Sequence, residues 1–224
     1  MNVFIHLPKT AGLSMNAILK KKWNKTNNYG TVHNMNSKEE NNIKEHILDE
    51  NYLLHGHISF KELSLFNIPT KNMFTVLRNP IDRCISWYYY TNKGKKFVGR
   101  ELSLEDFFSS NNKQIRQNCY NRMTYQIGNY AHYNKRSEDE EEVLALAKNN
   151  IANFKFVIIF ENLNEDLHTY LNIENIPHKN STKKYDKCVD KEIEEKIRNW
   201  NKLDIELYNF VIDRLGDKYS HLKV

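Results

Sequence analysis

Short apolar runs alternate with longer stretches of helical periodicity along this chain, and the alternation predicts its fold class. Residues 2–6, NVFIH, read as a short apolar strand. The turn LPKTAG follows. LSMNAILKKKW (13–23) then carries apolar residues at helical spacing, with Lys20, Lys21 and Lys22 near the end where a helix dipole favours cations. NYLLH (51–55) is a second strand, and NMFTVL (72–77) is a third whose unbroken apolar run predicts burial on both faces. Pro80 opens a helix over IDRCISWYYY. A basic loop, TNKGKKFVGRE (91–101), leads to SLEDFF (103–108), which resembles a capping box with Ser103 and Asp106 three residues apart. Helical periodicity covers 111–128 and 137–151, the second with Ser137 as its cap, and KFVIIF (155–160) is a fourth strand. A short helix, NEDLHTYL, a polar loop, PHKNSTKKYDK, and a long helix over about 190–215 complete the pattern. Strands alternating with helices predict an α/β fold with a central, mostly parallel sheet flanked by helices. With no repeats and no long linker, residues 1–224 form one domain.

Composition narrows the class. A chain of 224 residues, 40% hydrophobic and 27% charged, can bury one core and is not a disordered sequence. A net charge of +5 favours an anionic partner, but is too small to indicate nucleic acid. Cys84, Cys119 and Cys188 are odd in number, widely spaced and without a CxxC, which argues against a disulfide framework or zinc site and fits a reducing compartment. The first residues lack the basic and apolar regions of a signal peptide, and no window reaches membrane-spanning length. The expectation is a soluble, cytoplasmic protein with no membrane anchor.

Three segments carry candidate chemistry. PKTAGLS (8–14) lies between the first strand and the first helix, where α/β folds bind anions. Gly12 permits close backbone approach, Lys9 supplies a point charge, and Thr10 and Ser14 supply hydroxyls. The order GxxxxGK[ST] of a Walker A loop is absent, and an ordinary strand-to-helix turn with a capping serine is the competing reading. Arg78 follows the third strand at the ligand-binding edge, with Ser86 two turns into the next helix; a guanidinium fork and a hydroxyl suit a phosphate. Taken alone, Arg78 is more often structural, and Asp82 with Arg83 reads as a local ion pair or cap. HGH (55–57) admits catalysis, metal ligation or packing. In an extended segment His55 and His57 project to the same side, and no clear set of further metal ligands accompanies them.

HLPKTAGLS followed by LRNPIDRCISWYYY closely resembles the 5′-phosphosulfate loop and 3′-phosphate motif of the sulfotransferases, which use PAPS (3′-phosphoadenosine 5′-phosphosulfate). The HGH triplet resembles that of the uronosyl 2-O-sulfotransferases, including heparan sulfate 2-O-sulfotransferase, where the second histidine is the catalytic base. Weaker similarity continues through SLEDFF, KFVIIFENL, KNSTKK and LDIELYNFVIDRL, so it covers most of the chain. The resemblance implies a P-loop-NTPase-like sulfotransferase fold. It also implies that Lys9, Thr10, Ala11, Gly12, Leu13 and Ser14 hold the 5′-phosphosulfate, and that Arg78 and Ser86 hold the 3′-phosphate. Asn180, Ser181 and Lys183 would close over the nucleotide. His57 would be the base and His55 its neighbour. Two departures bear on the acceptor: Leu13 replaces a usual threonine, and His6 stands where heparan 2-O enzymes carry an arginine for an acidic substrate.

In-line attack of a hydroxyl on sulfur needs a base, and a histidine suits that role near neutral pH. Lys9 and the helix N-terminus would stabilise charge on the leaving phosphate, with no metal required. The implied reaction is sulfuryl transfer from PAPS to a carbohydrate hydroxyl, with 3′,5′-ADP as product. The basic KGKK loop (93–96) is usually just solvated, but would also attract an anionic glycan. Trp87, Tyr88, Tyr89 and Tyr90 read as helix core, with one ring available for stacking. Asn118, Asn121 and Arg122 are candidates to reach the site. The competing functions are a P-loop-type phosphotransferase and a non-catalytic nucleotide- or glycan-binding module.

Overall fold

A computed structural model describes residues 1–23, 28–32, 35–129, 136–137, 139–174 and 189–224. Its centre is a sheet of five parallel strands in the order β2-β3-β1-β4-β5. These are β1 (Asn2–Ile5), β2 (Tyr29–Val32), β3 (Leu53–Gly56), β4 (Met73–Leu77) and β5 (Phe156–Ile159). Four of them follow the apolar runs, and every residue of β4 is buried, as an unbroken apolar run predicts. The strand β2, YGTV, is an addition to the sequence reading. It holds a glycine and a threonine, pairs among the described residues only with β3, and lacks the apolar density that marks the inner strands.

Successive residues of β1 point to opposite faces, which creates two cores. Val3 and Ile5 pack with Met123, Ile127, Ala147, Leu207 and Val211 on one side of the sheet. Phe4 packs with Met15, Leu19, Phe74 and Leu167 on the other. The first side is covered by α8 (Arg122–Gly128), α9 (Glu140–Ala152) and α12 (Lys202–Leu215), and the second by α1 (Gly12–Trp23) and α10 (Leu163–Leu171). A third cluster joins α4 (Pro80–Tyr90), α6 (Leu104–Phe108), α7 (Lys113–Cys119) and α11 (Lys191–Trp200) around Tyr88, Phe107, Ile115 and Ile197. Three more helices complete the set: α2 (Ser37–His46), α3 (Phe60–Ser64), and α5 (Lys95–Val98) within the stretch read as a basic loop. Among the described residues, no helix is long and apolar enough to cross a membrane.

Two expected single helices are each divided, and one interaction explains both breaks. Between α7 and α8, Asn121 adopts a left-handed conformation (φ 43°). Its Oδ1 accepts the N–H groups of Leu203 (3.1 Å) and Asp204 (3.4 Å), at the start of α12. In return, the Asp204 carboxylate accepts the N–H groups of Met123 (3.1 Å) and Thr124 (2.7 Å), at the start of α8. Each helix start is thus capped by a side chain about 80 residues away in sequence, which satisfies donors that a continuous helix would have satisfied locally.

Arg83 completes this buried network. It lies 3.8 Å from Asp204 and donates to Asn118 O at 2.8 Å, so its partner is distant rather than the adjacent Asp82 expected from sequence. The cap of α9 is Asp139 rather than Ser137, because the Asp139 side chain accepts the Glu142 N–H at 2.9 Å. Ser103 caps α6 as expected, while a reciprocal capping box that sequence reading did not single out, Ser59 with Glu62, opens α3.

Candidate functional site

In a parallel sheet the strand ends converge on one edge. β1 lies where the chain turns first to one side and then to the other, and ligands collect at such a switch point. The register places Ile5 beside both Gly56 and Thr75, so the segments leaving β1, β3 and β4 emerge side by side. The loop 6–11, His57 and Arg78 are neighbours for that reason.

The loop after β1 is strained in a specific way. Lys9 (φ 71°) and Ala11 (φ 67°) are both left-handed, on either side of Thr10. Such residues cost about 1–2 kcal/mol each. They persist where the surroundings over-determine them, and they turn successive N–H groups toward one point. Thr10 is fully buried and donates its hydroxyl to Leu7 O at 2.8 Å. Its proton is committed to shaping the turn. The first helical bond of α1 runs from Met15 N–H to Ala11 O, so the N–H groups of Gly12 and Leu13 have no acceptor within the helix. Leu13 is 65% exposed at this end.

Cations crowd the same edge. Arg78 Nη1 donates to Lys9 O at 3.1 Å, and its guanidinium lies 4.3 Å from the Phe160 ring centroid. Lys9 Nζ lies 4.1 Å from the Tyr90 ring centroid, and Lys96 Nζ 4.3 Å from the same ring. Burial first, then the charges of Arg78 and Lys96, lower the Lys9 ammonium to a pKa of about 8. Ser86 is buried on α4, one turn before the Tyr90 whose ring Lys9 approaches. Glu161 anchors the turn after Arg78 by accepting Asn79 N–H at 2.8 Å.

The histidines form a ladder of nearly parallel rings. His6 stacks on His57 at 4.2 Å and on His55 at 5.2 Å, and His55 stacks on Phe4 at 5.2 Å. His57 is half-buried, and its Nδ1 lies 2.9 Å from His6 O. A carbonyl only accepts, so Nδ1 carries the hydrogen and Nε2 is the nitrogen able to take a proton. Gln126 Nε2 donates to the same His6 O at 3.1 Å and to Ile58 O at 3.1 Å, tying the segments after β1 and β3 together.

His55 is buried and shows the same assignment. Tyr29 donates its hydroxyl to Asn16 Oδ1 at 2.6 Å, so at 3.1 Å it accepts from His55 Nδ1. Between the histidines, Gly56 is required by packing: a Cβ there would lie 2.1 Å from Val32 O.

The structure therefore brings Lys9, Thr10, Ala11, Gly12, Leu13, Ser14, Arg78, Ser86, His55 and His57 to one edge. Asn180, Ser181 and Lys183 lie outside the described residues. Among the three polar candidates on α7, α8 and the turn between them, Asn121 is committed to capping α12, and Asn118 donates to Gln114 O at 2.8 Å. Arg122 is buried one turn before Gln126, on the helix face that reaches the His6 carbonyl. Its pKa falls to about 9, mainly through burial and then the neighbouring Arg136. Gln126, Tyr29 and Asn16 were not singled out from sequence, where each is an unremarked polar residue in a helix or strand. Among the described residues, no group of three or more His, Cys, Asp or Glu side chains is arranged to hold a metal.

Comparison with known families places residues 3–211 in a model described as the Sulfotransferase family. Comparison with curated proteins returns no significant match.

Proposed function

The chain belongs to the sulfotransferase family, and from that premise we propose that it moves the sulfuryl group of PAPS to a carbohydrate hydroxyl with His57 as general base. The observation that carries this reading is the hydrogen bond from His57 Nδ1 to His6 O, which leaves Nε2 as the proton acceptor at the edge where the anion cradle lies. PAPS, when bound, supplies the sulfuryl group and leaves as 3′,5′-ADP. Lys9, Thr10, Ala11, Gly12, Leu13 and Ser14 would hold its 5′-phosphosulfate, and Arg78 with Ser86 its 3′-phosphate. Asn180, Ser181 and Lys183 would close over the nucleotide. The left-handed loop and its crowded cations suit such a polyanion, because a bound anion relieves the repulsion among Lys9, Arg78 and Lys96. His57 takes the acceptor proton at Nε2 while its Nδ1–H stays on His6 O, which stabilises the imidazolium that forms. Resemblance of the HGH triplet supports a carbohydrate acceptor, and Lys96 beside the cradle suits an anionic glycan.

A labelled-sulfate transfer screen against a glycan panel tests the reading. His57→Ala should lower transfer by roughly 10²–10⁴-fold, while 3′,5′-ADP still raises the melting temperature of the variant. Full activity in His57→Ala removes the base. Stronger protection by ATP with Mg²⁺ than by 3′,5′-ADP replaces the donor with a nucleoside triphosphate and the reaction with phosphotransfer.

A further inference from the structure

The glycine at position 12 invites one explanation from sequence and a different one from the structure. In an anion loop, a glycine allows a ligand to approach the backbone. Here the space beside Gly12 is already filled from within the protein. A Cβ at this position would lie 1.8 Å from His6 Nε2 and 2.1 Å from His6 Cε1. Gly12 lies in α1 and is not among the residues with positive φ, so its backbone would accept alanine. Alanine is also the better helix former. The obstacle to a side chain is therefore the imidazole of His6.

That imidazole has little freedom to move away. The His6 backbone is held at both polar atoms: N–H donates to Gly56 O at 2.8 Å, and the carbonyl accepts from His57 Nδ1 and Gln126 Nε2. Ring stacking closes the imidazole in, with His57 at 4.2 Å and His55 at 5.2 Å. His6 thus holds His57 twice, through its carbonyl and through its ring, and the ring's edge rests on the first residue of α1.

We propose that His6 is a positioning residue for His57, and that position 12 is glycine to admit the His6 ring rather than a ligand. The positioning role rests on the assignment of His57 as base. The steric relation between His6 and Gly12 stands apart from it. Removing the ring leaves the carbonyl bond in place but lets the His57 plane rotate, and misplacement by about 1 Å costs on the order of 10²-fold in rate.

The test is a double-mutant cycle over wild type, Gly12→Ala, His6→Ala and the pair together. It is read by melting temperature, 3′,5′-ADP affinity and labelled-sulfate transfer. Gly12→Ala should lower the melting temperature in the wild-type background and leave it unchanged or raised in the His6→Ala background. His6→Ala should lower kcat by roughly 10²-fold, with KM for PAPS and affinity for 3′,5′-ADP within about twofold of wild type. The activity losses of the two variants should be less than multiplicative, because Gly12→Ala acts through the His6 ring that it displaces. Losses that multiply across the pair, or a Gly12→Ala defect in 3′,5′-ADP affinity that persists in the His6→Ala background, assign the glycine to the ligand and overturn the steric claim. A wild-type kcat in His6→Ala overturns the positioning role. A wild type that transfers no sulfate to any acceptor removes the base and the positioning role with it, while the melting cycle still decides why position 12 is glycine.

Discussion

At the cradle, Lys9, Arg78 and Lys96 gather positive charge around a loop with two left-handed residues, whereas across the strand ends Nδ1 of His57 and of His55 each donates to a neutral oxygen. The first region holds strain and repulsion that an anion would relieve. In the second, the protein's own oxygens accept from Nδ1 of both imidazoles and so assign their proton positions. A ligand should therefore stabilise the cradle strongly and leave the histidine ladder almost unchanged. Damage to either region should appear in a different measurement.

The sharpest separation is expected from Arg78→Ala beside His57→Ala. Losing the guanidinium removes charge-assisted contacts worth about 1.5–3 kcal/mol, so 3′,5′-ADP affinity should fall roughly 10- to 100-fold. His57→Ala should leave that affinity intact and lower transfer by roughly 10²–10⁴-fold. Isothermal titration of both variants checks this, and a His57→Ala protein that binds nucleotide as poorly as Arg78→Ala would merge the two regions into one.

Titrating Lys9 probes the cradle alone. Its ammonium is lowered from 10.5 to about 8 in the folded protein. Between those values the folded state binds fewer protons than the unfolded state, so stability without ligand should rise with pH across this window. Nucleotide affinity should move the other way, falling by roughly tenfold per pH unit above about 8 as the charge is lost. Lys9→Arg, which stays charged, should flatten the affinity profile. A wild-type affinity that is constant from pH 7 to 9.5 would place Lys9 outside the nucleotide site.

The smallest effect concerns the ladder. Gln126→Leu removes two hydrogen bonds but also deletes Gln126 Oε1, which is buried with no hydrogen-bond partner, so folding should be little affected. With one restraint on His6 O gone, kcat should fall about 5- to 10-fold, equivalent to one hydrogen bond of about 1 kcal/mol, at unchanged nucleotide affinity. Steady-state kinetics together with a thermal melt distinguish this from simple destabilisation.

Sequence legibility followed how local each feature is. The loop 8–14, Arg78 and HGH each lie at the end of an apolar strand, with Ser86 in the helix that follows one, and strand-then-helix patterning orients those positions without tertiary information. Tyr29, Asn16 and Gln126 act on atoms of residues far along the chain, and nothing in their neighbours marks them. β2 was invisible because four residues with little apolar character become a strand only when β3 supplies the partner. The division of 111–128 and 190–215 into paired helices had the same origin, since Asn121, at the break before α8, caps α12, and Asp204, in the first turn of α12, caps α8.

By itself, then, the sequence determined the alternation of strands and helices, the parallel sheet that follows from it, and the residue types gathered at the strand ends. Periodicity and motif spacing are properties of neighbouring residues, so they survive without coordinates. Tertiary structure decided which hydrogen each imidazole carries, what partners Arg83, and what fills the space beside Gly12. Those depend on a carbonyl, a carboxylate and a ring brought into contact from distant parts of the chain, within distances that only packing sets.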